Sequence, residues 1–273
     1  MAVARRGSGA PLVFLHGLGA DSGQCLAALS DLPGVELICP DLPGHGRTPG
    51  SSFSFAHFAD RAIALLDALG IERAVFGGIS MGAAVSLRVA LQAPERVEGL
   101  VLVRPAWIDR FALPHLAVVG RVGRWQESEP DRAAGQLAAD REFIAIERDN
   151  AAAAESIAGL LSRAQATASA GVLSAMVHDR PFARLSDLER IECSALVLAN
   201  EHDPLHPVAL AHDIFGRLPA ARYQLVPSRY RRPQAHISAL RAEITSFLRQ
   251  EDFVNVHRPH HDRGHSRQAQ GQG

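Results

Sequence analysis

Residues 74–93 read Ala74-Val75-Phe76-Gly77-Gly78-Ile79-Ser80-Met81-Gly82-Ala83-Ala84-Val85-Ser86-Leu87-Arg88-Val89-Ala90-Leu91-Gln92-Ala93. A short apolar run, Ala74 to Phe76, enters a glycine cluster. It leaves as an alanine-rich apolar stretch closed by Ala93-Pro94. Run length and composition predict a buried strand followed by a helix. Between them lies Gly78-Ile79-Ser80-Met81-Gly82, a G-x-S-x-G pattern in strand-turn-helix context. So tight a reversal strains its central residue, and glycines two before and two after let neighbouring backbones approach. Ser80 is then presented at the carboxyl end of the strand, above the unpaired N–H groups that open a helix. Those groups stabilise developing negative charge. The plainer alternative is a tight turn whose serine only caps a helix.

Outward from this element, strands and helices alternate. Upstream, Pro11 to Leu15 is apolar and ends in His16-Gly17-Leu18-Gly19. Helical spacing follows from Ala20 to Leu32, capped near Asp21 or Ser22. Val35 to Cys39 is a second buried strand, followed by the turn-rich loop Pro40-Asp41-Leu42-Pro43-Gly44-His45-Gly46-Arg47-Thr48. An amphipathic helix spans Phe55 to Leu69 and is stopped by Gly70.

Downstream, Gly99 to Val103 is a strand, and Arg104-Pro105 opens about 80 residues without another. Helical stretches are expected there near Leu137 to Ile146 and Ala151 to Ala168. Alternation resumes with a strand at Ala195 to Ala199, a helix at Val208 to Leu218 and a strand at Arg222 to Val226. A last helix runs from about Gln234 to Arg249, with Pro233 near its start. The expected fold class is α/β, a mostly parallel doubly wound sheet with an inserted helical lid. The expected organisation is a core of residues 1–104 and 185–251, a lid of 105–184 over the crevice where such sheets bind ligands, and a disordered tail of 252–273.

The bulk composition narrows the chemistry. Of 273 residues, 47% are hydrophobic and 21% charged, as in a soluble globular protein. A net charge of −1 gives no electrostatic case for nucleic acid or membrane partners. Every basic side chain is Arg and none is Lys, which excludes Schiff-base and lysine-nucleophile chemistry. Cys25, Cys39 and Cys193 are few, odd in number and far apart, unlike a disulfide framework or a zinc pattern. No run is long enough to span a bilayer, and Met1 to Gly9 has no apolar signal core. The expectation is a cytoplasmic protein, monomer or homodimer, acting on a small-molecule substrate with no cofactor and no metal. His257, His260, His261 and His265 in the tail fit a disordered end better than a metal site.

With these elements in order, the chain resembles the α/β-hydrolase family over residues 11 to 250. Four markers carry the resemblance. They are His16-Gly17-Leu18-Gly19, Asp41-Leu42-Pro43-Gly44-His45-Gly46, the Gly78 to Gly82 turn, and Asp203 with Pro207 after the penultimate strand. The resemblance implies a triad in the order Ser, acid, His. Ser80 is then the nucleophile, Asp203 the acid, and the N–H groups of Leu18 and Met81 the oxyanion hole. His16 is expected to hold its turn together, and Asp41 to bond local backbone N–H groups.

The histidine departs from the family pattern. The loop after the last strand, where the family carries it, is Pro227-Ser228-Arg229-Tyr230-Arg231-Arg232-Pro233, with three arginines and no His. His236, near the start of the last helix, is the expected base. His206, beside Asp203, is the alternative, and the third reading is that no triad histidine exists. Arg104, Trp107 and Trp125 are pocket candidates, with Phe111, Phe143 and Met176 as further apolar lid residues. Arg104 either clamps a substrate carboxylate or sits in an ion pair.

The implied activity is a serine hydrolase acting on a small or medium apolar ester, lactone or related carbonyl compound through an acyl-enzyme. Its alternative is an impaired or non-catalytic ligand-binding protein of the same fold. Carbon–carbon cleavage or proton transfer on the same scaffold is a third possibility.

Overall fold

The computed structural model describes residues 1–30, 32–163, 169–251 and 253. Seven strands form one sheet: β1 (Val3–Gly7), β2 (Ala10–Leu15), β3 (Val35–Pro40), β4 (Ala74–Ile79), β5 (Val97–Val103), β6 (Ser194–Asn200) and β7 (Ala221–Val226). Their spatial order is β1-β3-β2-β4-β5-β6-β7; β1 pairs antiparallel with β3 and every other pairing is parallel.

The inner strands are buried on both faces, which is why they read as continuous apolar runs. Alternate residues serve opposite cores. Leu12, Phe14, Val75, Val101, Leu196 and Leu198 join the core beneath α1 (Ser22–Leu29) and α10 (Pro233–Gln250). Val13, Leu15, Phe76, Leu100, Leu102 and Val197 join the opposite core. That one is roofed by α2 (Phe55–Leu69), α3 (Met81–Gln92) and α9 (Val208–Phe215). Asp21 caps α1 by accepting from the Gly23 N–H, and Gly70 ends α2 in the left-handed region at φ 66°.

Strand β1 was not anticipated. It is a half-exposed edge strand whose Arg5 and Arg6 face outward, so it carries no apolar run. Pairing with β3, reinforced by an Arg5–Glu36 ion pair, holds it in the sheet.

Between β5 and β6 the chain forms α4 (Ala117–Ser128), α5 (Ala133–Ala138), α6 (Arg141–Asp149), α7 (Ala151–Ser162) and α8 (Ala170–Val177). Helices α4 and α8 are additions to the expected elements. Gly120 and Gly123 lower the helical propensity of α4. Their role is close approach: a Cβ at Gly123 would lie 2.7 Å from the Ser174 N of α8. Trp107 fastens this insertion to the sheet core. Its Nε1–H donates to the Met176 carbonyl at 3.0 Å, and its ring meets that of Phe55 edge-on at 5.7 Å. The expected disorder of 252–273, its histidines, and the stretch Ala164 to Ala168 at the end of the predicted helix lie outside the described residues, Phe253 excepted.

Candidate functional site

The turn between β4 and α3 has the predicted strain. Ser80 sits at φ 59°, ψ −110°, and its N–H donates to the Val103 carbonyl at 2.9 Å. Both flanking glycines are required by space. A Cβ at Gly78 would stand 2.4 Å from the Gly82 carbonyl carbon, and one at Gly82 would stand 2.1 Å from the Leu15 oxygen. The helix start thus lies directly against the end of β2, bringing residues 16–19 beside Ser80.

That neighbouring turn is organised by two histidines. The Nδ1–H of His16 donates to the Gly17 carbonyl at 2.9 Å, and its Nε2 accepts from the Leu42 N–H at 3.0 Å. His45 Nε2 accepts from the Gly19 N–H at 3.1 Å. Burial lowers both imidazoles below their ordinary range, so each serves as a neutral, two-sided hydrogen-bonding group. Burial alone would raise the Asp41 carboxyl, but the backbone N–H groups of Arg47 and Ser22 outweigh it and lower the pKa. Of residues 17–20, Gly17 donates to Gln24, Gly19 to His45 and Ala20 to the Gly17 carbonyl. The Leu18 N–H has no acceptor among the described residues. The Met81 N–H opens α3, in the turn where Ala83 and Ala84 bond back to the Ser80 carbonyl.

The imidazole beside Ser80 is that of His206. Its Nε2 accepts from the Ser80 hydroxyl at 2.8 Å, and its Nδ1–H donates to Asp203 Oδ1 at 2.8 Å. The carboxylate fixes the tautomer that leaves Nε2 free to accept. Asp203 and His206 share one tight turn after β6, closed by the His206 N–H on the Asp203 carbonyl at 3.2 Å. Pro204 and Pro207 bound that turn. The second oxygen of Asp203 accepts from Arg104 Nη1 at 3.2 Å. Arg104 follows β5 at φ 49°, and its side chain is 4% exposed.

His236 is placed elsewhere, correcting the expectation that it stands against Ser80. It lies in the first turn of α10, where its Nδ1–H is committed to the Pro227 carbonyl at 2.8 Å. Burial and the Arg104 charge push it down to about 4. The cue for His206 was its position three residues after Asp203 in a proline-bounded turn.

Charge within this group is tightly coupled. Burial would raise the Asp203 carboxyl, yet His206, Arg104 and Arg229 hold it well below the carboxylate range. Burial also lowers His206, against the raising influence of Asp203, while Arg104 and Arg229 lower it further. The resting imidazole is therefore neutral near pH 7.

A cavity of about 630 Å³, counting its opening to solvent, lies over Ser80 and His206. Gly17, Leu18 and Ile79 form its floor, while Leu116, Val119, Ile157 and Leu160 of the insertion bring apolar side chains. Trp107 lines it as expected; Trp125 does not, and packs instead against the apolar core. Phe143 and Met176 are likewise core residues, and Phe111 is exposed under the Arg180 guanidinium. Arg104 lines the cavity while paired to Asp203. Arg163, Arg229 and Tyr230 also line it, and were not singled out beforehand. Among the described residues no three His, Cys, Asp or Glu side chains are grouped to hold a metal ion, and no helix is long and apolar enough to cross a membrane.

The comparisons agree with this architecture. The α/β-hydrolase fold family model matches residues 10–142. A putative carbamate hydrolase, RutD, of Pseudomonas savastanoi pv. phaseolicola is 31% identical over 230 residues, 80% of this chain and 85% of that protein. The acetyltransferase component of the acetoin cleaving system of Pseudomonas putida is 41% identical over 101 residues, 36% of this chain. The chain spans only 27% of that protein's length. Among solved structures, a thermophilic esterase from Thermogutta terrifontis superposes with a TM-score of 0.71 at 23% identity, covering 92% of this chain and 93% of that one. The chain belongs to the α/β-hydrolase fold family.

Proposed function

We propose that this protein is a serine hydrolase that cleaves an ester, lactone or related carbonyl compound through an acyl-enzyme, with Ser80 as nucleophile, His206 as base and Asp203 as its orienting acid. The supporting observation is the continuous hydrogen-bonded series Ser80–His206–Asp203, with 2.8 Å at each contact. His206 Nε2 takes the Ser80 proton as Oγ attacks the carbonyl carbon, and Asp203 stays ionised beside the imidazolium. The Leu18 N–H, which has no acceptor among the described residues, and the Met81 N–H, at the start of α3, receive the oxyanion. The leaving alcohol then takes the proton from His206. Water, deprotonated by the same nitrogen, releases the acid and restores Ser80.

The helical insertion acts in this reading as a lid. Its apolar side chains roof the cavity and exclude water around the acyl group. The relatives named as hydrolase and esterase are consistent with the reading. A ligand-binding protein without turnover was suggested by the missing histidine after β7, and the His206 contact removes that motive.

A fluorophosphonate probe tests the proposal. The folded parent should be labelled at one site, found on the peptide carrying Ser80, and Ser80→Ala should be unlabelled. Labelling that persists in Ser80→Ala, or a folded parent that stays unlabelled over hours, overturns it.

A further inference from the structure

Three guanidinium groups face one cavity from unrelated parts of the chain. Arg104 follows β5, Arg163 follows α7, and Arg229 lies in the loop after β7. Among the described residues the cavity wall contains no carboxylate side chain. Asp203 stands behind His206 and is already shared between that ring and Arg104. Neither Arg163 nor Arg229 forms a salt bridge among the described residues, although surface arginines elsewhere in the chain find acidic partners.

Burial, and after it the neighbouring Arg229 charge, lowers Arg104 to about 10. Its Nε–H is buried behind the cavity wall and has no acceptor among the described residues. The guanidiniums that line the cavity without a carboxylate partner are those of Arg163 and Arg229, and an unpaired charge in a partly enclosed site is costly. Arg229 is steadied beside the cavity: its guanidinium carbon lies 4.8 Å from the centre of the Tyr230 ring. Arg163 is anchored by donating to the Gly19 carbonyl.

From this arrangement we infer that the cavity binds a carboxylate, and that the substrate is an ester whose acyl chain ends in a carboxylate received by Arg229, in the positive field of Arg104 and Arg163. Guanidinium forks match the two oxygens of a carboxylate, while the positive field of all three arginines rejects cationic acyl groups. Glutaryl-type half-esters have the required chemistry: a scissile carbonyl at Ser80 and an anion a few atoms away. The substrate assignment rests on the hydrolase reading; the carboxylate site itself does not.

Two measurements separate them. The first compares kcat/KM for 4-nitrophenyl hydrogen glutarate with that for 4-nitrophenyl valerate, which has the same chain length and no charge. The parent should favour the glutarate ester by roughly 10- to 100-fold, the range of one or two charge-assisted hydrogen bonds. Arg229→Gln should bring that ratio close to one, and Arg229→Lys should restore part of it. A loss of folding would depress both esters and leave the ratio unmoved, so the ratio isolates anion recognition. The second is glutarate binding to Ser80→Ala protein, followed by calorimetry, with Ser80→Ala/Arg229→Gln as control. Arg229-dependent glutarate binding without turnover of either ester keeps the carboxylate site and sinks the hydrolase reading. Valerate preferred over glutarate in the parent, or glutarate binding indifferent to Arg229, overturns the inference and leaves the hydrolase reading intact.

Discussion

The loops after β6 and β7 leave adjacent parallel strands and end near the same cavity, yet they do opposite work. The first holds Asp203 and His206 in a single four-residue turn, so the proposed acid and base share a local frame. The second carries Arg229 and Tyr230 to the cavity wall and is followed by a histidine bonded to its own loop carbonyl. In the proposed mechanism the base comes from the Asp203 turn, which frees the loop after β7 from positioning one. What that loop offers instead is positive charge. The two buried histidines make the contrast testable: His206 contacts Ser80, and His236 does not.

Activity gives the largest separation between them. His206→Ala should lower kcat by about 10⁴- to 10⁶-fold, the loss seen when the base of such a triad is removed. His236→Asn keeps a donor for the Pro227 carbonyl and should cost at most roughly 10²-fold, even if its loop shifts by about 1 Å. Steady-state hydrolysis of one ester by both variants decides the matter. Equal losses would erase the distinction between the loops.

The same histidines show where the sequence is informative. Both sheet faces are covered, so β2 to β6 appear as apolar runs, and the Gly78–Gly82 turn is legible because two backbones meet there. Edge strand β1 is silent, since half of it faces water. Helix α4 is masked by glycines that serve packing against α8. Ser80 and Asp203 are located by the elements that precede them. The choice between His206 and His236 turns on whether a ring points across a cavity, which linear spacing does not encode. The convergence of Arg104, Arg163 and Arg229 is less visible still, because only the sheet order and the insertion bring them together. The arginines after β7 stand out in the sequence, but their direction depends on the tertiary fold.

A smaller effect sharpens the electrostatic side of the contrast. Arg104 joins the two loops: it pairs with Asp203 and repels Arg229, and its charge lowers His206. The proposed mechanism needs neutral His206, so kcat/KM should fall as pH drops through its pKa, which lies below the ordinary 6.5. Arg104→Met removes a nearby positive charge, making imidazolium easier to form. The acid limb of the profile should then move to higher pH. An unmoved limb, in a variant that remains folded and active, would separate Arg104 from the base.

The smallest effect concerns stability, where the two histidines should look alike. His236 is pushed down to about 4 by burial and by Arg104, against the raising effect of its Pro227 hydrogen bond. Its unfolded value is near 6.5. Between about pH 4 and 6.5 the unfolded chain therefore binds the extra proton, so stability is greatest above that window and declines as pH falls through it. Denaturant unfolding across this range should show the decline in the parent. His236→Asn should flatten the slope by at most about one proton, leaving the contributions of His16, His45 and His206 in place. An unchanged slope would mean that His236 is protonated alike in both states, contrary to its burial. Paired with the activity test, the result divides two roles that burial alone confuses: both rings are kept neutral by the fold, and only the one in contact with the Ser80 hydroxyl can use that neutrality to accept a proton from it.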